Sequence, residues 1–145
     1  MTVDLRVVPF RRHHLAWLKE TEAAAGGPAP AIDDVTLEYL ERNGTSWTMV
    51  ADGVPVGCGG TIQQWPGRHI TWAYLGPSSG PHMLAITRAT RRHLNKVAGR
   101  IEITVRCDFE KGHRWAELLG FHIECPILER FGPEGEPHTS YVRFN

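Results

Sequence analysis

The stretch AYLGPSSGPHMLAITRATRRHLNK, from Ala73 to Lys96, constrains the fold more than any other part of the sequence. It begins inside HITWAYL, a run of β-branched and aromatic residues that is typical of a strand. A turn rich in Gly, Pro and Ser follows, and apolar residues then recur at helical spacing. A strand, a turn and a helix therefore follow one another directly. Such a junction can present backbone N–H groups to an anion.

The sequence before this junction predicts a strand at Leu5–Pro9, two helices and a hairpin. The first helix is expected from Phe10 onward, because apolar residues recur there at helical spacing. A mobile loop is expected over Ala23–Asp34, with Asp33 or Asp34 capping the second helix before Gly44 ends it. Asp52-Gly53 lies between two β-rich runs, a strong hairpin signal.

The sequence after the junction predicts a strand, a short helix and two final strands. RIEITVRCD alternates apolar and polar residues, KGHRWAELLGF is helical, and HIECPILERFG and TSYVRFN are strand-like. The complete order is β-α-α-β-β-β-α-β-α-β-β. This order predicts an α/β fold with a mixed central sheet and helices on both faces.

Length and charge exclude several classes of protein. The chain has 145 residues, which predicts a single domain over 1–145. Sixteen basic and sixteen acidic residues balance, so neither nucleic acid nor an anionic membrane is an expected partner. No apolar run is long enough for a membrane span, and no secretory signal is recognisable. Three widely spaced cysteines favour reduced thiols in a cytoplasm and indicate no metal site.

The order of elements, together with two local patterns, resembles the GNAT family of N-acetyltransferases across essentially the whole chain. One pattern is HITWAYL with its Gly/Pro/Ser turn and the long helix from about His82. The other is RWAELLGFHIE, which is similar to the family's late helix ending in Leu119, Gly120 and Phe121. The resemblance implies a GNAT-like fold and transfer of an acetyl group from acetyl-CoA to an amine of a small molecule or a protein.

In that family the diphosphate of acetyl-CoA rests on main-chain N–H groups of the turn after the fourth strand. The resemblance therefore implies that unpaired N–H groups near Gly80 face the cofactor. It assigns cofactor contacts to six residues: Tyr74, Leu75, Ser79, Gly80, His82 and Met83. Pro77 and Pro81 have no N–H to donate. The turn departs from the family pattern, since Pro77 replaces a Gln or Arg and His82 replaces a small residue.

The residues that would carry proton transfer are not evident. The family's tyrosine acid falls at Ala116, which cannot donate a proton, although a thiolate can leave at neutral pH without an enzymic acid. A general base is needed to take the proton of the amine. Tyr74, His69, Glu102 and Cys107 lie on or near the fourth and fifth strands, and each also has an ordinary structural interpretation. The catalytic residues are therefore left unknown.

A narrower resemblance covers the segment from Gly112 to Phe144. It joins Arg114-Trp115, the Leu-Gly-Phe triplet and the Gly132–Gly135 turn in the order seen in phage-encoded GNAT-like proteins, some of them internal virion proteins. This resemblance implies an alternative: a catalytically silent phage structural or assembly protein with virion proteins as partners. Its location would then be the host cytoplasm or the virion.

Four other features have simpler interpretations. Cys58 in VGCGGT is expected to be a structural thiol beside a β-bulge rather than a nucleophile. His13-His14 with Arg11-Arg12 is expected to be a solvated cluster. The arginines of the long helix (Arg88, Arg91 and Arg92) either approach the adenosine 3′-phosphate or are surface charges. Trp65 is the tryptophan most expected to be exposed and to meet a partner.

Overall fold

The computed structural model describes residues 4–22 and 32–145, and its elements follow the predicted order. The strands are β1 (Leu5–Pro9), β2 (Ser46–Ala51), β3 (Val54–Trp65), β4 (Arg68–Leu75), β5 (Arg100–Arg106), β6 (His122–Leu128) and β7 (His138–Phe144). The helices are α1 (Arg12–Glu22), α2 (Asp34–Arg42), α3 (Met83–Asn95) and α4 (Glu110–Leu118). A 3₁₀ turn, Pro77–His82, precedes α3.

The predicted mixed sheet is confirmed. Seven strands lie in the order β1-β2-β3-β4-β5-β7-β6. The pairs β1–β2, β2–β3, β5–β7 and β6–β7 are antiparallel, whereas β4 and β5 are parallel over three residue pairs, from Arg68–Arg100 to Ile70–Glu102. Among the residues that the structure describes, no helix is long and apolar enough to cross a membrane.

The chain forms two compact units, each with its own apolar cluster. The first comprises the described residues up to 62 together with 72–86, and the second comprises 63–71 and 87–145. The first unit buries an apolar cluster between its helices and strands: Phe10, Leu15, Leu18, Leu40, Cys58, Trp72 and Tyr74. The second unit buries Leu94, Ile101, Ile103, Val105, Ala116, Leu119, Phe121 and Tyr141. That the chain is one domain stays a prediction.

The predicted helix cap and hairpin turn are confirmed, because in each the residue itself determines the local backbone conformation. Asp33 caps α2 by accepting the Thr36 N–H at 2.7 Å, as expected of an N-terminal aspartate. Asp52 and Gly53 both have positive φ, the geometry of the two-residue hairpin turn. Residues 23–31 of the predicted loop lie outside the described part of the chain.

The start of α1 differs from the prediction. The helix begins at Arg12, because Phe10 is 2% exposed and its N–H donates to the Ser46 carbonyl at 3.2 Å. Phe10 therefore extends the contact between β1 and β2 and contributes to the core. Helical spacing alone did not distinguish a residue that packs before the helix from one that packs within it.

Glycines in β3 allow a close approach to the neighbouring strands. A Cβ built on Gly59 would lie 2.8 Å from the main-chain oxygen of Trp72 in β4. The pairing with β2 also shifts register between Met49 and Val50, opposite Pro55 and Gly57, so the predicted β-bulge beside Cys58 is confirmed. At Gly59 the backbone of β4 is thus held against a residue that has no side chain.

Replacing Gly59 with Ala tests this close approach. The new methyl group would collide with backbone rather than with a flexible side chain, so Gly59→Ala should lower the free energy of unfolding by about 1–3 kcal/mol. Gly80→Ala is the matched control, because no atom lies within 4 Å of a Cβ built there. That variant should change stability by no more than about 1 kcal/mol, toward greater stability. Equal effects in chemical denaturation would contradict the packing described.

Candidate functional site

The candidate cofactor site is the turn between β4 and α3, which lies wholly within the first unit. Strand β4 ends at Leu75, and the Gly76 N–H donates to the Val56 carbonyl of β3 at 3.0 Å. Pro77 then opens the 3₁₀ turn, where its fixed φ suits the first helical position. The chain passes from this turn directly into α3.

Two main-chain N–H groups of the turn are engaged within it. Ser79 N–H donates to the Gly76 carbonyl at 2.9 Å, and Met83 N–H donates to the Gly80 carbonyl. A 3₁₀ helix directs each N–H toward the carbonyl three residues earlier. The expectation of unpaired N–H groups is therefore wrong for Ser79 and Met83, because Pro77 and Pro81 favour a tight turn that consumes its own donors.

Access to the turn is nevertheless open at Gly80. Gly80 is exposed, and the space where its Cβ would lie is empty. Ser79 is buried, whereas His82 and Met83 are half-buried. A ligand can therefore approach the main chain at Gly80 without displacing a side chain, which is the use that a glycine has beside a phosphate.

Tyr74 and Leu75 hold the turn in place with their side chains. Tyr74 is 4% exposed and belongs to the core of the first unit. Leu75 is half-buried, and its Cδ2 lies where a Cβ on Gly57 would be. A contact of either residue with a cofactor would therefore involve the main chain.

Glu102, one of the four candidate bases, is fixed as an anion. Its Oε1 accepts from Arg68 Nη2 at 3.0 Å, and its Oε2 accepts from Arg100 Nε at 2.8 Å. Hydrogen bonds from Arg68 and then from Arg100 outweigh the effect of burial and lower the pKa of Glu102 to about 2. A carboxylate held this way is a poor proton acceptor near neutral pH, so Glu102 links β4 to β5 structurally.

The thiol candidates are also structural. Burial raises the pKa of Cys58 to about 12, which agrees with the expectation of an unreactive core thiol. Cys107 lies with its Sγ 3.6 Å from Thr139 Oγ1 and 3.9 Å from the Pro126 carbonyl oxygen. Cys58 is therefore a core thiol, and Cys107 lies against β6 and β7.

His69 differs from the other candidates. It is half-buried at the start of β4, paired with Ile101 of β5. Its Nδ1 is buried and has no hydrogen-bond partner within residues 4–22 and 32–145. Buried polar atoms without partners are uncommon and require an explanation. No feature of the sequence distinguished this nitrogen from that of a surface histidine.

Two further expectations concern α3 and α4. Arg91 donates from Nη1 to the Leu118 carbonyl at 2.9 Å and so caps the end of α4, whereas Arg88 and Arg92 are exposed. Ala116, at the position of the family's acid, is 1% exposed in the core of the second unit. No group of three or more His, Cys, Asp or Glu residues in the described ranges could hold a metal ion.

His113 of α4 forms a half-buried polar contact that the sequence did not indicate. Its Nδ1 lies 2.7 Å from the Tyr141 hydroxyl, and its Nε2 lies 3.0 Å from the Arg106 carbonyl oxygen. The carbonyl can only accept, so Nε2 donates to it. Burial raises the pKa of Tyr141. This pair therefore fastens α4 to β5 and β7 rather than supplying an acid.

Comparison with solved structures shows the fold. Ard1 from Thermoplasma volcanium matches with a TM-score of 0.73 and 11% identity, over 96% of each chain. A GNAT-family acetyltransferase from Bacillus anthracis matches with a TM-score of 0.68 and 14% identity, over 99% of this chain and 97% of that one. The Salmonella typhimurium protein yncA was solved with its cofactor acetyl-CoA. It matches with a TM-score of 0.70 and 13% identity, over 97% of this chain and 93% of that one.

These likenesses establish that the chain has the fold of GNAT acetyltransferases. No model of a known protein family matches the sequence, and no curated protein sequence matches it. At this level of identity the fold alone is shared, and function has to be argued from the site.

The ion pairs of Glu102 with Arg68 and Arg100 can be tested by measuring stability as the pH is lowered. Because the folded pKa of Glu102 is depressed to about 2, its stabilisation is present above the unfolded pKa near 4.5 and is lost as pH falls toward 2. Glu102→Gln should lower the free energy of unfolding at pH 7 by about 1–3 kcal/mol and flatten this acid loss. Glu110→Gln is the control, because Glu110 is exposed and its Oε2 lies 3.8 Å from Arg114 Nη2. Identical acid profiles for Glu102→Gln and the parent would refute the assignment.

Proposed function

We propose that the protein binds acetyl-CoA and transfers its acetyl group to an amine of a small molecule or a protein. The observation that carries the proposal is the turn itself: an exposed Gly80, with open space beside its main chain, leads directly into the thirteen-residue helix α3. The positive end of a helix dipole favours a diphosphate at this position. The acetyl-CoA complex of yncA, which shares the fold, supports the proposal.

Binding requires the turn to exchange hydrogen bonds. The N–H groups that now donate to the Gly76 and Gly80 carbonyls would turn to phosphate oxygens. Hydrogen bonds in a 3₁₀ helix have poor geometry, whereas bonds to a charged acceptor are about twice as strong as neutral ones. The exchange is therefore favourable. Ser79, Gly80, His82 and Met83 supply the N–H groups, and Tyr74 and Leu75 supply the main chain before them.

The general base is left unassigned. Of the four candidates, Glu102 is held by two arginines, Tyr74 is in the core and Cys107 lies against Thr139. His69 keeps a buried Nδ1 without a partner in the described residues. His69 belongs to the second unit, whereas the turn belongs to the first. Ala116 offers no acid, so the thiol of coenzyme A, whose acidity is like that of cysteine, leaves as the thiolate.

A charge placed at Gly80 tests cofactor binding. Gly80→Glu should weaken acetyl-CoA binding by about tenfold or more in isothermal titration, because the carboxylate repels the diphosphate. Gly80→Gln is the matched control for size, and it should bind more tightly than the Glu variant. Unfolding midpoints should stay near that of the parent, since the site is open. Equal affinities for the Glu and Gln variants would contradict the proposed position of the diphosphate.

A catalytically silent phage structural or assembly protein is the second candidate function. Two observations favour it: Ala116 is buried at the position of the acid, and the turn before α3 bonds its own N–H groups. The C-terminal likeness to phage-encoded proteins points the same way. This candidate predicts incorporation into purified virions and no acetyl transfer to any amine. Turnover together with absence from particles would eliminate it.

A further inference from the structure

The first turn of α1 is held by two side chains that titrate in acid, and both belong to the first unit. Arg11 immediately precedes the helix, and its N–H donates to His14 Nδ1 at 3.1 Å. The next N–H along the chain, that of Arg12, donates to Glu41 Oε1 of α2 at 2.6 Å. The first N–H groups of a helix have no partner within it, so these side-chain acceptors stabilise the start of α1.

His14 occupies the third position of α1, which is a capping position. From this position a Glu or Gln side chain reaches back to the N–H of the residue before the helix. The sequence predicts a solvated cluster here. Arg11, Arg12 and His13 are exposed, whereas His14 is half-buried, so the expectation is wrong for His14.

Thr48 of β2 is a second partner of the same ring nitrogen. Its buried Oγ1 lies 2.7 Å from His14 Nδ1. The Arg11 N–H can only donate, so Nδ1 accepts from it and carries no proton. A protonated Nδ1 can only donate, and the Thr48 hydroxyl is able to accept from it, whereas the Arg11 N–H is not. Protonation therefore removes the bond to Arg11 and keeps the contact with β2.

The charges around His14 separate its titration from that of Glu41. Burial, then His13 and Arg11, lower the pKa of His14 below the ordinary value of 6.5, and Glu41 of α2 opposes them. The partner on β2, Thr48, is uncharged. The bond from the Arg12 N–H lowers the pKa of Glu41 below 4.5. The cap at His14 is therefore complete above pH 6.5 and lost as pH falls below it, whereas Glu41 releases Arg12 only in stronger acid.

We propose that the start of α1 is an acid-sensitive cap, which opens when His14 Nδ1 binds a proton while Glu41 still holds Arg12 and Thr48 still holds the imidazole. The cap is independent of the proposed acetyl transfer, and its opening requires no acetyl-CoA.

NMR of the full chain from about pH 8 to about pH 4.5 tests the cap by following the Arg11 amide and the His14 ring together. The Arg11 amide proton should shift upfield as it loses its acceptor, and the midpoint should equal that of the His14 ring and lie below 6.5. A ring that titrates while the Arg11 amide proton is unchanged would overturn the proposal. A ring that remains neutral throughout this range would overturn it as well.

Two variants separate the cap from a general effect of acid. His14→Gln keeps an acceptor at the capping position but does not titrate, so its Arg11 amide proton should stay downfield over the whole range. His13→Gln is the matched control, since His13 is exposed and its ring centroid lies 4.4 Å from that of His14. Loss of this positive neighbour should preserve the transition and move its midpoint to higher pH. Unfolding midpoints verify that each variant is folded. A transition in His14→Gln equal to that of the parent, or its loss in His13→Gln, would refute the assignment.

Discussion

The close contact between β3 and β4 is the constraint on which the candidate site depends. Gly59 brings the two backbones so near that a methyl group would meet the Trp72 carbonyl, and the bond from Gly76 N–H to the Val56 carbonyl marks where β4 ends. Tyr74 is buried in the core on one side, and Leu75 packs against Gly57. The turn that follows therefore starts from a strand fixed by close packing, and Gly80 is its exposed, open part.

The order of elements could be read from the sequence because several boundaries have a local cause. Asp33 caps α2 through its own side chain, and Asp52-Gly53 adopts the positive φ values of a tight hairpin. The start of α1 could not be read in this way. Phe10 is apolar in either interpretation, and only its pairing with Ser46 removes it from the helix.

The candidate site was predictable in position but not in its hydrogen bonds. Composition identified a turn before α3, yet it did not reveal that the turn is 3₁₀ and bonds its own N–H groups. The state of Glu102 depends on Arg68, thirty-four positions away in sequence, and on Arg100. The orphan Nδ1 of His69 likewise results from tertiary burial, to which local sequence patterns are insensitive. Shared fold with acetyltransferases does not decide between a catalyst and a scaffold, since one fold can carry either.

The most direct test of the central claim is a crystal structure of the protein grown with acetyl-CoA. The account predicts that the diphosphate lies beside Gly80. Its oxygens should replace the Gly76 and Gly80 carbonyls as partners of the Ser79 and Met83 N–H groups. An intact 3₁₀ turn with the coenzyme bound elsewhere, or crystals at saturating acetyl-CoA with no coenzyme at the turn, would contradict it.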